Sequence, residues 1–202
     1  MKAAQKTFAE DLDFKIWATK GTKFIAHERL LLKHKLSNQS LSYLTAYVVI
    51  VNLIPLFNTT KPLLSADLVS FVTTVLSILV LVFGQIESSA EYNIKALKQH
   101  ECGRQLAKLH LELSNITLSK TSDIEHDFML LAQKYSDILD VYENHDSIDY
   151  LLFKTKNPSK YDISESEKWK VRIRYYFSNV LLYHFLIFSP IILAGIYTTF
   201  YV

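Results

Sequence analysis

The stretch KFIAHERLLLKHKLSNQSLSYLTAYVVIVNLIPLF, residues 23–57, changes halfway along from a basic segment to an uncharged one. Its first half contains Lys23, Arg29, Lys33 and Lys35, and the 25 residues that follow Lys35 carry no charge. A helix needs about 20 apolar residues to cross the hydrocarbon core of a bilayer. The stretch therefore predicts a membrane span that is preceded by a basic flank.

Two further runs have the length of a membrane span. The 19 residues between Asp67 and Glu87 are uncharged, and so are the last 28 residues of the chain. Only NTTKPLLSADL, residues 58–68, separates the first two runs, which predicts a tight hairpin of two transmembrane helices. A buried pair of soluble helices is the alternative, although such helices would carry charges on one face. The third run contains His184 and Pro190, and it predicts a third span or, alternatively, a helix that lies in the interface or packs in an oligomer.

Composition supports a helical chain with few turns. Half of the 202 residues are hydrophobic, and only four are glycine and four are proline. The predicted fold class is an all-α membrane protein, in which a transmembrane helical hairpin has long helices that extend into a cytoplasmic helical bundle. A third transmembrane helix is expected at the carboxyl end. The predicted domains are a basic amphipathic amino-terminal helix in the cytoplasm (1–40), the transmembrane hairpin (41–86), the cytoplasmic bundle (87–174) and the C-terminal transmembrane helix (175–202).

The basic residues predict how the spans are oriented. Residues 1–40 contain eight Lys or Arg against four Asp or Glu, whereas the loop between the first two runs has only Lys61. Because basic residues accumulate on the cytoplasmic side of a membrane, we expect a cytoplasmic amino terminus and an extracytoplasmic carboxyl terminus. A nucleic-acid grip is the alternative for the basic segment, but anionic lipid explains it more economically. The residues predicted to orient the spans are Lys23, Arg29, Lys33, Lys35, Lys168, Lys170, Arg172 and Arg174.

Polar side chains recur along one face of each of the first two runs. Lipid offers these groups no hydrogen-bond partner, so they are expected to face another helix or water. Hydrogen-bonded packing between two helices is one interpretation. A pore wall of hydroxyls and amides, formed when several copies assemble, is the other. The candidate pore-lining or interhelix residues are Asn38, Ser42, Thr45, Asn52, Ser70, Thr73, Thr74 and Ser77.

The segment after the second run is predicted to be helical. Nothing except Gly103 interrupts its first part, so the second span is expected to continue into the cytoplasm as one long helix. Two serine–glutamate pairs, Ser122–Glu125 and Ser164–Glu167, have the spacing of capping boxes at helix starts. The pair Asn157–Pro158 predicts a break between helices.

The sequence shows no recognisable catalytic or metal-binding set. The four glycines are scattered singly, so no glycine-rich phosphate loop is present, and Cys102 is the only cysteine. The segment ENHDSIDY, residues 143–150, is rich in polar side chains, but its pattern is that of a helix end followed by a new helix start. We therefore predict a protein that is not an enzyme, with no catalytic residue, no metal and no cofactor. The net charge of +2 gives no strong preference for nucleic acid, and direct binding of nucleotides or nucleic acids is not favoured.

Three segments, KGTKFIAHERLLLKHKLSNQSL, ESSAEYNIKALKQHECG and ENHDSIDY, accompany the two close spans. Their order and spacing over residues 15–160 resemble the SLATT family, the two-transmembrane effectors associated with nucleotide-signalling and reverse-transcriptase conflict systems of bacteria and archaea. The third run departs from the two-span pattern and fits a subset with an extra C-terminal hydrophobic helix. The positions that match the family, which are candidates for gating or folding, are Glu87, Ser88, Ser89, Tyr92, Asn144, His145, Asp149 and Tyr150.

The resemblance implies an antiviral effector that damages the inner membrane when a partner signals infection. We therefore predict a homo-oligomeric, pore-forming or membrane-permeabilising effector of a prokaryotic abortive-infection system. Its expected partners are membrane lipid and an operon-encoded sensor, such as a nucleotide-signalling enzyme or a reverse transcriptase. The alternative is a membrane-anchored scaffold or sensor subunit that recruits a soluble partner enzyme.

Overall fold

A computed structural model describes residues 8–57, 65–118 and 124–201, and these residues form seven α-helices and no strand. The all-α class that the sequence predicts is confirmed. The helices are α1 (Phe8–Phe57), α2 (Ala66–Ser89), α3 (Tyr92–Leu118), α4 (Ile124–Val141), α5 (Ser147–Lys156), α6 (Glu165–Asn179) and α7 (Leu181–Tyr201).

The chain divides into two compact units, and α1 and α6 contribute residues to both. Unit 1 comprises the amino-terminal residues to Leu31 together with Asn93–Arg174. Unit 2 comprises Leu32–Tyr92 together with the residues from Tyr175 onwards. The amino-terminal part of α1 is therefore a component of the helical bundle. The predicted domain limits at 40/41 and 86/87, which refer to the membrane, stay predictions.

The core of unit 1 is formed by α1, α3 and α4. Leu12 and Ile16 of α1 pack with Leu109 and Leu113 of α3 and with Leu131 of α4, and all five side chains are buried. Burying an aliphatic side chain of this size contributes about 1.5–3 kcal/mol. This cluster is sufficient reason for the amino-terminal part of α1 to pack into the bundle.

A second cluster in unit 1 is aromatic. Trp17 of α1 makes an edge contact with Phe153 of α5, with 4.8 Å between the ring centroids, and Tyr161 stacks on Trp17. Phe153 fits against α1 because Gly21 has no side chain: a Cβ at this position would lie 2.1 Å from Cε2 of Phe153. Tyr150 completes the cluster at the start of α5.

Replacing Gly21 by alanine is expected to destabilise unit 1 by about 1–3 kcal/mol, because the Phe153 ring must leave its place to make room. Thermal or denaturant unfolding measures the change, followed by the fluorescence of Trp17 in a Trp169→Phe background, since the chain has two tryptophans. Gly195→Ala is the control, since a Cβ at Gly195 meets nothing within 4 Å. Equal stability of both variants would show that Phe153 moves at no cost.

Unit 2 contains three apolar helical segments, which are the second half of α1, α2 and α7, together with the end of α6. Leu36 of α1 packs with Val180 and with Tyr183 of α7, and Phe83 of α2 lies against the same cluster. The hydroxyl of Tyr47 donates a hydrogen bond of 2.7 Å to the carbonyl oxygen of Ile187 in α7. The C-terminal hydrophobic run is therefore a helix that packs on α1.

Two helical stretches among the described residues are long and apolar enough to cross a membrane. One begins at Ala66 and includes α2, and the other is Leu181–Thr199 in α7. Their apolar side chains are mostly exposed on the chain, which is the property of helices that face lipid and not of helices in a soluble core. The chain is an all-α membrane protein. The apolar half of α1 packs beside these helices and exposes Val49 and Ile50, and its assignment as the first hairpin span stays a prediction.

The expectation of one continuous helix after the second run is wrong. Helix α2 ends at Ser89, Glu91 has a φ of 50° in the left-handed region, and α3 begins at Tyr92. A residue with a side chain adopts this conformation at a cost of about 1–2 kcal/mol, so packing on either side must maintain the break. Gly103, the expected weak point, lies inside α3, where Phe24 occupies the space that a Cβ would need.

The local signals around α5 and α6 are confirmed. Helix α5 ends at Lys156, directly before Asn157–Pro158. Ser164 and Glu167 form a reciprocal cap for α6: the Ser164 hydroxyl accepts from the Glu167 N–H, and the Glu167 carboxylate accepts from the Ser164 N–H. The Ser122–Glu125 cap falls partly outside the described residues.

Candidate functional site

Four charged residues of unit 1 form what we call the buried charge cluster: Lys23, Arg29 and Asp149, whose side chains are buried, and Asp146, whose side chain is 67% exposed at the edge of the cluster. The Arg29 guanidinium binds Asp149 in a two-pronged arrangement, from Nε to Oδ1 at 2.7 Å and from Nη2 to Oδ2 at 2.9 Å. Nη2 also lies 2.7 Å from Oδ2 of Asp146. Asp149 is fully buried and Arg29 is 6% exposed, so this ion pair is shielded from water. It joins α1 to the start of α5.

Asp149 also stabilises the start of α5. Its Oδ2 accepts a hydrogen bond of 3.0 Å from the Asp146 N–H, while the Asp149 N–H donates to the Asp146 carbonyl. The carboxylate therefore lies in the first turn of α5, where the helix dipole also favours negative charge. Removal of this carboxylate would affect both the α5 start and the contact with Arg29.

Lys23 lies about one and a half helical turns before Arg29 on α1. Its Nζ donates a 2.6 Å hydrogen bond to the Glu143 carbonyl, and Nε2 of Gln99 donates to the same oxygen at 3.0 Å. Burial lowers the pKa of Lys23, while Cys102, Asp149 and Glu143 act in the opposite direction. Burial in turn raises the pKa of the Cys102 thiol, an effect that Lys23 opposes. The cluster thus fixes the loop between α4 and α5 onto α1 and α3.

Helical spacing explains why Lys23 is inside. Leu12, Ile16, Ala26 and Leu30 recur at steps that place them on one face of α1, and Lys23 lies on that same face. All five side chains are less than 9% exposed. A lysine on an apolar helical face is the sequence signal for this buried charge.

The structure brings together only some residues of the ENHDSIDY segment. Asp149 belongs to the buried charge cluster, and Tyr150 packs with Phe153 in the aromatic cluster. His145 is partly buried, and burial followed by the positive charge of Lys23 lowers its pKa. Asn144 is exposed and contacts neither cluster in the described structure. A gating or folding role for these residues stays a prediction.

The other positions that resemble the SLATT family lie in unit 2, at the end of α2 and the start of α3. The Tyr183 hydroxyl donates a 3.1 Å hydrogen bond to Oε2 of Glu87, which ties α2 to α7. The Ser89 hydroxyl donates to the Ile86 carbonyl at 2.8 Å, and Ser88 is exposed. Tyr92 lies under the ammonium group of Lys33, with 5.5 Å from Nζ to the ring centroid.

Seven of the eight polar positions predicted for the spans are exposed on the chain, and we call them the polar stripe. The exception is Thr73, which is buried and donates to the Val69 carbonyl. The hydroxyls of Ser42, Thr45 and Thr74 donate to carbonyls one turn earlier in their own helices. The polar stripe consists of Asn38, Ser42, Thr45 and Asn52 on α1 and of Ser70, Thr74 and Ser77 on α2.

The two asparagines of the stripe have hydrogen-bonding capacity to spare. Nδ2 of Asn52 donates at 2.9 Å to the Val48 carbonyl, and Nδ2 of Asn38 lies 3.2 Å from Nε2 of His34. A primary amide has two donor hydrogens and one acceptor oxygen. Within the described residues, the single bond of each side chain leaves the other groups for water or for another molecule.

The eight basic residues predicted to orient the spans have different surroundings. Lys23 and Arg29 make hydrogen bonds and ion pairs in the buried charge cluster. Their position before an apolar run did not indicate that they are buried. Lys168 pairs with Glu165. Lys33 lies over Tyr92. Those with exposed side chains are Lys35, Lys170, Arg172 and Arg174, and the orienting role of all eight stays a prediction.

The described part of the chain contains no group of three or more potential metal ligands. The rings of His27 and His100 lie near each other, with 4.7 Å between their centroids. Nδ1 of His27 lies 2.9 Å from the Ala96 carbonyl, so this nitrogen carries a proton and cannot bind a metal there. The prediction that the chain has no catalytic or metal site stays a prediction.

A family model described as SMODS and SLOG-associating 2TM effector domain family 5 matches residues 5–196. The match includes α1 to α6 and most of α7. No curated protein and no solved structure matches the chain. The match agrees with the resemblance of the three segments, and the family is one of membrane effectors associated with defence systems. The chain belongs to the SMODS and SLOG-associating 2TM effector domain family 5.

Proposed function

We propose that the chain permeabilises the inner membrane of a prokaryotic cell as a homo-oligomeric pore, in response to a partner sensor of infection. The observation that supports this proposal is the polar stripe, which lies exposed on helices that are otherwise apolar. The amino terminus and unit 1 lie in the cytoplasm in this proposal, since the basic residues precede the first apolar run.

The argument depends on the cost of unpartnered polar groups in hydrocarbon. Each one costs several kcal/mol, and the amide groups of Asn52 have spare capacity at the depth of an apolar helix. A second copy or a column of water relieves this cost. Several copies arranged with α1 and α2 inwards would turn the stripes to water and the apolar side chains on other faces of α2, such as Val75 and Val82, to lipid.

Reconstitution into vesicles that contain a fluorescent dye tests the proposal. Release is expected to rise more steeply than in proportion to the protein-to-lipid ratio, because a pore needs several copies. In cells, co-expression with the neighbouring sensor and its trigger is expected to admit a membrane-impermeant dye. Unchanged permeability in cells that still mount a defence response would contradict the proposal.

A membrane-anchored scaffold is the second candidate. The observation that favours it is the set of apolar side chains that unit 1 exposes, among them Leu97, Leu111 and Met129, which could bind a soluble partner. Replacing the apolar segments of unit 2 by unrelated membrane anchors separates the two functions. A scaffold keeps its activity in that chimaera, whereas a pore loses it.

A further inference from the structure

The polar stripe on α2 is interrupted by one large apolar side chain. Its serine and threonine residues follow one another at steps of four and three residues, and the next positions on the same face are Leu81, Gly84 and Ser88. The side chain of Leu81 is 66% exposed. Leu81 is therefore the one bulky apolar residue on this face of α2 between Ser70 and Ser88, among residues that are small or polar.

Leu81 lies at a depth where the helix is surrounded by hydrocarbon. The uncharged run of α2 is bounded by Asp67 and Glu87. At 1.5 Å per residue, Leu81 is about 21 Å from Asp67 and about 9 Å from Glu87 along the helix axis. The hydrocarbon core of a bilayer is about 30 Å thick. Leu81 thus belongs to the interior of the span and not to its ends.

The rest of the exposed surface of α2 is apolar, and Leu81 is not part of it. Successive residues of a helix are turned by about 100°, so Leu79 points about 160° away from Leu81. Val75 and Val82 also lie on other sides of the helix than the stripe, and both are exposed. A leucine that only has to face lipid is expected on those sides. The position of Leu81 on the polar face needs a different explanation.

The polar stripe on α1 has a similar interruption. Val49 comes four residues after Thr45 and three residues before Asn52, so it lies on the stripe face of α1. Its side chain is 53% exposed. Each of the two helices that would line the pore therefore has an apolar position between polar ones. Leucine is the larger of the two side chains, so Leu81 is expected to narrow the pore more than Val49.

We propose that Leu81 forms the gate of the pore, as a ring of leucine side chains to which each copy contributes one. The inference rests on the proposed function, since it names the position at which that pore is closed. Water leaves a narrow apolar segment of a pore, and an ion that would lose its hydration shell does not cross it. The neighbouring residues on this face are small, so Leu81 projects furthest towards the pore axis. Activation opens the gate by withdrawing the leucines from this axis.

The substitution Leu81→Ser in the full-length protein tests the gate. It makes the polar face of α2 continuous, so dye release from vesicles is expected to rise about tenfold over wild type at the same amount of inserted protein. In cells, the variant is expected to admit a membrane-impermeant dye without the trigger. Leu79→Ser is the matched control: Leu79 is also exposed, but on the apolar side, and release is expected to stay unchanged. Equal release from Leu81→Ser and wild type would refute the gate and leave the pore standing.

Thiol labelling supplies a measurement that does not depend on the rate of release. In a Cys102→Ser background, Leu81→Cys places a thiol in the proposed water path, and Leu79→Cys places one on the lipid side. A charged, membrane-impermeant thiol reagent is expected to label Leu81→Cys and to spare Leu79→Cys. Labelling of both variants to the same extent, or of neither, would overturn the proposal. If Leu81→Ser and the activated wild type both leave vesicles sealed, the pore itself is refuted and the gate with it.

Discussion

Replacement of Arg29 by methionine is expected to destabilise unit 1 by about 3–5 kcal/mol, the usual cost of breaking a buried ion pair from one side. The change leaves the fully buried Asp149 carboxylate without its guanidinium partner, and the remaining donor is the Asp146 N–H. Methionine retains much of the volume of the arginine side chain, so the loss reports on the charge and its hydrogen bonds. Denaturant unfolding, followed by Trp17 fluorescence in the Trp169→Phe background, measures the loss of stability.

Two controls separate this effect from a general effect of removing a charge. Lys15→Met breaks the pair with Asp11, and the two side chains are 58% and 45% exposed, so the change is expected to have little effect on stability. The double variant Arg29→Met/Asp149→Leu removes both charges of the buried pair and is expected to recover part of the stability, because Asp149→Leu also removes the acceptor of the Asp146 N–H at the start of α5. If Arg29→Met is no more harmful than Lys15→Met, the cluster does not hold α5 on α1.

Replacement of four of the seven polar stripe residues is expected to reduce dye release by more than tenfold while leaving insertion intact. The variant combines Asn52→Leu with Ser70→Ala, Thr74→Ala and Ser77→Ala. It makes α1 and α2 more apolar, so partition into the membrane improves while the groups that would contact water in a pore are lost. Dye release from vesicles, corrected for the amount of protein inserted, measures the result.

Substitution of two hydroxyls elsewhere in unit 2 provides the matched control. Thr198 and Thr199 of α7 are exposed, and both donate to the Gly195 carbonyl, as the stripe threonines do within their own helices. Thr198→Ala/Thr199→Ala is expected to leave release unchanged. Full release from the stripe variant would instead assign these residues to packing between helices, and it would remove the main support for the pore.

The features that the sequence predicts correctly are encoded within short segments. The helical class follows from composition and from long uncharged runs, and the reciprocal cap needs only the spacing of Ser164 and Glu167. The end of α5 follows from Asn157–Pro158, because proline disfavours helical backbone in the residue before it. Each of these features is decided by neighbours along the chain.

The buried charge cluster could not be found in this way. Arg29 and Asp149 are 120 residues apart, and nothing local identifies one as the partner of the other. Two basic residues shortly before an apolar run also match the pattern of residues that orient a span, so their position alone does not identify them as buried. Only the position of Lys23 on the apolar face of α1 indicated that part of this basic segment is interior.

The break between α2 and α3 lacked a local signal as well. Ala90 and Glu91 are compatible with a helix, and neither glycine nor proline occurs at the break. The left-handed backbone of Glu91 must therefore be imposed by the packing of the helices on each side of it. Tertiary contacts, which one sequence does not reveal, decide this position.

Because Cys102 is buried, its reactivity in the unmodified protein reports on the opening of unit 1. It is the only thiol of the chain, it has no exposed surface, and it lies among residues that hold the loop between α4 and α5 in place. A thiol reagent reaches it only when unit 1 opens, and its raised pKa keeps the reactive thiolate scarce until then. The rate of labelling at Cys102 therefore measures how often unit 1 opens, without any engineered probe.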